Sequence, residues 1–270
     1  MLCWFGVLVG CPLIYVFVLS FMSRGPTRNV VFRFTVDNYM RIFDPLYLRI
    51  FGVSLAVAVL TSLVTLLIGY PFAYFTAKLN KRLRLIVLLL VMIPFWTSSL
   101  LRTYGWMIIL QTEGGVLNNV LQFLGLTQTS IRFMYNYGAV LTVTVYMLLP
   151  FMILPIYNSV DRLDPSMLEA SRDLGARRFE TFWRVTLPMT MPGIIGGVTL
   201  VFVPAVGMFF ISDLIGGGQT TLAGMAIYEQ AIKLGDLPAA SALSVVMMFV
   251  VLLFIGLYAR VSKNTEGGLF

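Results

Sequence analysis

Leu168-Glu169-Ala170-Ser171-Arg172-Asp173-Leu174-Gly175-Ala176 lies in the most charged region of an otherwise apolar chain. Ten of the chain's 19 basic and 12 acidic side chains fall between positions 161 and 184, and long apolar runs stand on both sides. Small or apolar residues recur there at helical spacing, at Met167, Ala170, Ser171 and Leu174. Gly175 stands where a helix would end in a left-handed residue. The pattern therefore predicts a short amphipathic helix that stops at Gly175.

A second short helix is predicted directly after this glycine. Its apolar stripe is opposed by charged side chains; the stripe is Phe179, Phe182 and Trp183, and the charges are Arg177, Arg178, Glu180 and Arg184. Pro188 and Pro192 are predicted to break the pattern before the next apolar run. A helix–glycine–helix element of this kind can lie on the surface of a membrane domain and contact a soluble partner.

Composition indicates a polytopic membrane protein. Hydrophobic residues make up 59% of the 270 residues, charged residues make up 11%, and the mean hydropathy is +0.89. A soluble domain of this size could not bury so much apolar surface, so membrane lipid is an expected partner. The net charge of +7 is not gathered into a basic face with interleaved aromatic residues, so no nucleic acid is expected to bind.

The residue types that support catalysis or metal binding are scarce. Histidine is absent, which removes histidine-based nucleophile activation, metal ligation and proton relay. Both cysteines, Cys3 and Cys11, lie in the first apolar run, so a cysteine-rich metal site is not expected. Gly216-Gly217-Gly218-Gln219-Thr220 lacks the lysine of a phosphate-binding loop. We therefore expect no catalytic residue, metal or cofactor in this chain, and any ATP and Mg²⁺ would be bound by a partner.

Six apolar runs are predicted to cross the membrane as helices. They lie at about 1–22, 50–77, 85–110, 136–158, 192–212 and 239–259, within a single all-α transmembrane domain that covers 1–270. The connections are predicted to hold a short helix that starts near Asp37 and an amphipathic stretch from Val116 to Phe123.

The distribution of Lys and Arg predicts the orientation. The side that holds the second connection, the charged stretch at 161–188 and the tail has eleven, against seven or eight on the other side. Both termini and the charged stretch are therefore predicted to be cytoplasmic. The five arginines between positions 24 and 49 oppose this orientation, but they lie in a longer connection, where the bias is weaker.

The charged stretch resembles the EAA loop of ABC-importer permeases. Its Glu-Ala pair, the Gly-Ala that follows, the aromatic residues and Leu187-Pro188 all match that loop, and Ser171 replaces the third residue of the triplet. The resemblance implies a type I ABC-importer permease fold with a coupling helix that docks on an ATP-hydrolysing subunit. The residues expected at that contact are Glu169, Ala170, Ser171, Asp173, Leu174, Gly175 and Ala176. The competing interpretation is an ordinary cytoplasmic loop between two spans.

Further segments resemble the spermidine/putrescine permeases. They are Gly69-Tyr70-Pro71-Phe72-Ala73-Tyr74, the stretch 94–102 that begins Pro94-Phe95-Trp96, and the stretch 211–217 that begins Ile211-Ser212-Asp213. The resemblance implies a polyamine path, for which aromatic faces and occasional carboxylates are suited. The candidates are Trp96, Tyr104, Tyr146, Phe209, Phe210 and Asp213. Each aromatic residue could instead pack in the core or face lipid, and Asp213 could cap a helix.

Three classes of function are weighed. The first is the permease of an ATP-driven importer in a bacterial inner membrane, for polyamines or another small solute. Its implied partners are a second homologous permease, two ATP-binding subunits and an extracytoplasmic polyamine-binding protein. The second is a secondary transporter, which would need ionisable residues in mid-span, whereas almost all carboxylates here lie in connections. The third, an intramembrane enzyme, lacks a nucleophile–base pair or carboxylate cluster.

Overall fold

The computed structural model describes residues 2–25 and 29–266, and these residues are mostly helical. Its α-helices are α1 (Leu2–Ser20), α2 (Asp37–Ile42), α3 (Pro45–Ala77), α4 (Lys81–Met92), α5 (Ser99–Leu110), α6 (Val116–Phe123), α7 (Tyr137–Asp161), α8 (Pro165–Asp173), α9 (Arg178–Thr181), α10 (Leu187–Gly207), α11 (Phe209–Leu214), α12 (Ala223–Tyr228) and α13 (Leu237–Glu266). A 3₁₀-helix (Ile93–Trp96) and two π-helical segments (Phe182–Thr186 and Glu229–Lys233) complete the helical structure of this part of the chain. The predicted short helix and amphipathic stretch are present as α2 and α6.

One small β-ribbon departs from the all-α prediction. Strand β1 (Met22–Arg24) pairs antiparallel with β2 (Val30–Phe34) in the first connection. The sequence Val30-Val31-Phe32 is rich in β-branched and aromatic residues, which favour extended backbone. The fold class is therefore all-helical in its membrane part only.

The core is formed by α3, α7 and α10, which pack against one another. α7 lies at its centre, where Leu148, Met152 and Ile156 are fully buried. Glycines on α10 let that helix approach α7 closely: a Cβ added at Gly193 would lie 2.5 Å from the Pro155 carbonyl oxygen, and one added at Gly197 would lie 2.7 Å from the Met152 sulfur. These three helices form the frame on which the remaining elements are placed.

Among the described residues, four helices are long and apolar enough to span a bilayer, or five if one bent pair counts as a span. The four are Pro45–Ala77, Tyr137–Asp161, Arg178–Gly207 and Leu237–Gly256. The first predicted span corresponds to a shorter apolar helix, Gly6–Ser20. Six spans therefore remain a prediction.

The predicted span 85–110 is not one straight helix. α4 with its 3₁₀ extension meets α5 at an angle of 94°. Pro94 lies in the 3₁₀ turn, and Thr97 is extended, with φ −93° and ψ 153°, while its hydroxyl donates to the Pro94 carbonyl at 2.7 Å. Proline cannot continue the helical hydrogen-bond ladder, and the extended residue that follows turns the chain. The apolar run is therefore divided between two differently directed helices.

The predicted break at Pro188 and Pro192 is wrong. A helix runs from Arg178 to Gly207 without interruption by way of the π-helical segment. Pro188 has no N–H to give to the carbonyl four residues earlier, and the widened π turn just before it ends with Leu187 N–H donating to the Phe182 carbonyl. The helix ends at Met208, with ψ 82°, so the predicted span 192–212 is divided between α10 and α11.

Candidate functional site

The predicted helix–glycine–helix element is present as α8 and α9. Asp164 caps α8 by accepting a hydrogen bond from Ser166 N–H at 2.9 Å. Hydrogen bonds from the backbone and the side chain of Ser166 hold the pKa of the Asp164 carboxyl below its usual range. At the start of α9 the Glu180 carboxylate accepts from Arg177 N–H at 2.9 Å. Both helix starts are therefore fixed by side chains adjacent to them in sequence.

Gly175 forms the turn between the two helices in the predicted left-handed conformation. Its φ is +87°. Gly175 N–H donates to the Arg172 carbonyl at 2.8 Å, and Ala176 N–H donates to the Ser171 carbonyl at 3.1 Å. These two bonds are the 5→2 and 6→1 pair of a Schellman motif. The turn depends on a residue that adopts positive φ at low cost.

The two helices and the π turn line an open pocket of about 470 Å³. Five of the seven predicted coupling residues line it: Ala170, Ser171, Leu174, Gly175 and Ala176. Glu169 and Asp173 do not line it; they are exposed elsewhere on α8. Leu174 is 89% exposed. Met167, which lines the same pocket, is exposed as well, and exposed apolar side chains grouped on a charged surface are a feature of protein contact sites.

Phe182 attaches this element to the helical core. Its ring makes edge-to-face contacts with Tyr70 at 5.7 Å and with Tyr74 at 6.5 Å between centroids. Tyr70 also shares a hydrogen bond of 3.0 Å with Thr190 on α10. The predicted apolar stripe is therefore divided: Phe182 turns inward, whereas Phe179 and Trp183 are exposed, because only one side of α9 and the π turn faces α3.

Two further contacts hold the element in place. The hydroxyls of Ser171 and Thr181 lie 3.1 Å apart and join α8 to α9. Arg84 at the start of α4 pairs with Asp161 at the end of α7, close in sequence to α8. The serine that replaces the third residue of the Glu-Ala-Ala triplet thus makes a bond that alanine could not make.

The predicted path residues fall into two groups on neighbouring elements. Trp96, Tyr104 and Tyr146 lie on the 3₁₀ turn, α5 and α7, and Trp96 is 82% exposed. The second group, Phe209, Phe210 and Asp213, lies on α11, which packs against both α5 and α7. Tyr146 contacts the ring of Trp106 at 5.4 Å, and Phe209 stacks on Tyr228 at 4.7 Å. Both groups retain exposed ring surface.

Asp213 is half-buried in the last turn of α11, whose N-cap is Met208. It therefore does not cap that helix. The pKa of Lys233 is raised, first by its hydrogen bond with Glu229 and also by the negative charges of Glu229 and Asp213. Asp213 and Lys233 are thus close enough to interact electrostatically.

Sequence reasoning missed two groups that become evident only in the folded chain. Arg102 lies over the Phe95 ring at 4.4 Å, and its Nε and Nη1 are buried without a hydrogen-bond partner among the described residues. Asp236 has only 3% of its side chain exposed and pairs with both Arg24 and Arg41 at 3.6 Å. No local sequence pattern identifies either group. Asp236 is far in sequence from both of its arginine partners, and the two Arg102 nitrogens have no hydrogen-bond partner among the described residues. In the part of the chain that the structure describes, no three His, Cys, Asp or Glu residues are grouped to hold a metal.

Comparison with known proteins gives matches over almost the whole chain. A family described as "Binding-protein-dependent transport system inner membrane component" matches residues 69–267, which include both candidate groups. The "Spermidine/putrescine transport system permease protein PotB" of Escherichia coli (strain K12) is 44% identical over 260 residues, covering 96% of this chain and 94% of that protein. The "Inner membrane ABC transporter permease protein YdcU" of the same strain is 30% identical and covers 96% of this chain and 86% of its own length.

Solved structures share the fold. A chain of a bacterial ABC transporter "involved in the import of the acidic polysaccharide alginate" aligns with a TM-score of 0.79 and 18% identity, over 97% of this chain and 92% of that chain. A chain of the alginate transporter "in complex with alginate pentasaccharide-bound periplasmic protein" gives a TM-score of 0.78 and 17% identity, over 97% and 91%. At this level of identity the likeness concerns the fold alone.

Proposed function

We propose that this chain, which belongs to the family of binding-protein-dependent transport system inner membrane components, is the permease subunit of an ATP-driven importer for spermidine and putrescine. The 44% identity to PotB over nearly the full length of both proteins supports the choice of solute. Homologous subunits of this kind transport rather than catalyse, so ATP and Mg²⁺ would be bound by a separate ATPase.

The observation that carries the coupling role is how α8 and α9 are attached. α9 continues through the π turn into α10, so the surface element and a membrane-spanning helix form one helix from Arg178 to Gly207. Phe182 also contacts Tyr70 and Tyr74 on α3. An ATPase that moved Leu174 and the pocket beside it would therefore tilt two of the three core helices together. In our proposal this rocking alternates the inward-open and outward-open states.

The proposed assembly contains a second homologous permease, two ATP-binding subunits and an extracytoplasmic polyamine-binding protein. A binding-protein partner fits the family description. In the proposed topology the bent pair α4–α5 counts as one span and α1 as another, which makes six. An even number of spans places both termini on the same side, and the distribution of Lys and Arg makes that side the cytoplasm. The element α8–α9 then faces the ATPase.

The proposed path for the polycation uses the aromatic residues of both groups together with Asp213. The Asp213 carboxylate would attract ammonium groups, and the exposed Trp96 indole would hold them weakly enough for release. Replacing Trp96 by Leu keeps apolar bulk and removes about 0.5–2 kcal/mol of cation–π attraction. We expect polyamine uptake to fall several-fold while the complex still assembles.

A secondary transporter is disfavoured by where the charges lie. The interiors of α3, α7 and α10 contain no Asp or Glu; Asp161 is the last residue of α7. A proton- or ion-coupled carrier would require an ionisable group within the bilayer.

The proposal is tested in two steps. The tagged chain is isolated from its native membranes and its partners are identified by mass spectrometry, which should detect an ATPase, a second permease and a binding protein. The complex is then reconstituted in liposomes and supplied with labelled spermidine or putrescine, with or without ATP. Uptake that requires ATP and all three partners is expected. Uptake driven by an ion gradient through the chain alone would refute the proposal, and ATP-dependent uptake of a different solute would refute the polyamine assignment.

A further inference from the structure

A second pocket lies on the side of α8–α9 that faces α3. Its volume is about 310 Å³, and it is lined by Tyr74, Lys78, Leu168, Arg172, Arg178, Thr181, Phe182 and Thr186. It is separate from the pocket beside Leu174 that was described above, because the two pockets share no lining residue. The lining comes from three places in sequence: the end of α3, the middle of α8, and α9 with the π turn.

Three cationic side chains line this pocket. Lys78, Arg172 and Arg178 form no ion pair with any residue that the structure describes. The Lys78 ammonium instead lies 3.9 Å from the centre of the Tyr74 ring. The acidic residues of α8 and α9 do not line the pocket. Bringing three like charges together costs free energy, which a bound anion would offset.

The floor of the pocket is suited to an anion with a hydrophobic continuation. Thr181 and Thr186 line the pocket and are buried, and the rings of Tyr74 and Phe182 line it as well. The lysine and arginine side chains can bind phosphate oxygens through charge-assisted hydrogen bonds. Phe75, on the adjacent face of α3, is exposed and offers an apolar surface beside the pocket.

The position of the pocket at the end of the apolar helix α3 favours a lipid over a free ion. α3 contains one charged residue, Arg49 near its start, and runs without another from Ile50 to its end at Ala77; Lys78 is the first charged residue beyond it. The pocket therefore lies where an apolar span meets water. Basic pockets at this level between helices bind the headgroups of anionic lipids.

We propose that Lys78, Arg172 and Arg178 bind the phosphate headgroup of an anionic phospholipid, with an acyl chain lying along α3 near Phe75. The bound lipid would lie between the coupling element and the core and would stabilise their contact. That this is the cytoplasmic leaflet rests on the proposed function. Binding itself does not depend on transport or on an ATPase.

The test measures lipid retention on the assembled transporter. The complex is reconstituted in nanodiscs of phosphatidylcholine with or without phosphatidylglycerol, released into the gas phase, and its retained lipids are counted by native mass spectrometry. Wild-type protein is expected to retain phosphatidylglycerol in preference to phosphatidylcholine. Arg178→Gln and Arg172→Gln are each expected to lower this retention about fivefold, which corresponds to the loss of one cation near a lipid surface. Arg172→Lys keeps the charge and should retain the lipid.

Arg177→Gln is the matched control, since Arg177 adjoins Arg178 in sequence but does not line the pocket. Equal retention by Arg177→Gln, Arg178→Gln and wild-type protein would overturn the proposal. Displacement of the lipid by inorganic phosphate would mean that the pocket takes a free anion instead. Loss of ATPase from the Arg178→Gln complex with unchanged lipid retention would assign the cations to a protein contact. In a complex without measurable transport, the lipid count still decides the question.

Discussion

Replacement of Gly175 by valine tests the coupling role most directly. A Cβ at this position would meet nothing within 4 Å, so the only structural cost is the positive φ of +87°. A left-handed conformation costs an L-residue about 1–2 kcal/mol, with β-branched residues at or above the upper end. Since 1.4 kcal/mol is a tenfold change, the native turn would become about 5–30 times less populated relative to alternatives.

The consequence should appear as weakened docking of the ATPase. If only the native turn docks, the apparent dissociation constant rises as the native fraction falls, and it reaches the full factor of about 5–30 where alternative turns predominate. We expect Gly175→Val to reduce ATPase co-purification and substrate-stimulated ATPase activity accordingly, while the chain still inserts into the membrane. Gly175→Asn should lie between wild type and valine, because asparagine tolerates positive φ better than other residues.

Gly125→Val is the matched control. Gly125 also has a positive φ, +69°, and open space around its Cβ position, but it follows α6 far in sequence from α8–α9. It should carry the same local cost with unchanged ATPase docking. Normal substrate-stimulated ATPase activity in the Gly175→Val complex would refute the coupling role of this turn.

Three other outcomes are expected. In a chain without its two native cysteines, a cysteine at Lys81 should be shielded from a membrane-impermeant thiol reagent in intact cells, whereas one at the exposed Thr129 should react; labelling at Lys81 would reverse the orientation. Asp213→Asn should lower polyamine uptake several-fold with ATPase assembly intact, unlike Glu113→Gln at an exposed acidic site, and equal uptake by the two variants would exclude Asp213 from the path. Asp236→Asn removes a buried carboxylate that pairs with two arginines and should destabilise the chain by about 1–3 kcal/mol in thermal unfolding, a loss that an unchanged melting temperature would contradict.

The helix–glycine–helix element α8–α9 was predictable because its determinants are local. The capping Asp164, the periodicity of α8 and the glycine at its end all lie within a few residues of the structure they specify. The same holds for the apolar runs, which identify most membrane helices by composition alone. The resemblance to ABC-importer permeases also rested on contiguous residues, and the match over 69–267 confirmed it.

The prediction for Pro188 was wrong, and the prediction for the region around Pro94 was incomplete. Pro188 was expected to end a helix, but the π turn upstream absorbs the missing donor, and the helix continues. Pro94 was placed in mid-span, yet the chain turns by 94° after it. Whether a proline kinks, ends or merely begins a helix depends on which neighbouring helices satisfy the freed backbone groups, and the sequence does not contain that information.

The order of amino acids is enough to predict that this chain enters a membrane, where its main helices lie, and that a charged helix pair turns at Gly175. Those properties follow from hydropathy, periodicity and the conformational range of single residues. The folded chain adds that Phe182 joins this pair to α3, that Arg24 and Asp236 meet across more than 200 positions of sequence, and that Lys78, Arg172 and Arg178 line one pocket. These contacts unite segments remote in sequence, and they depend on how α3 packs against the helix that starts at Arg178 and how α13 packs against β1.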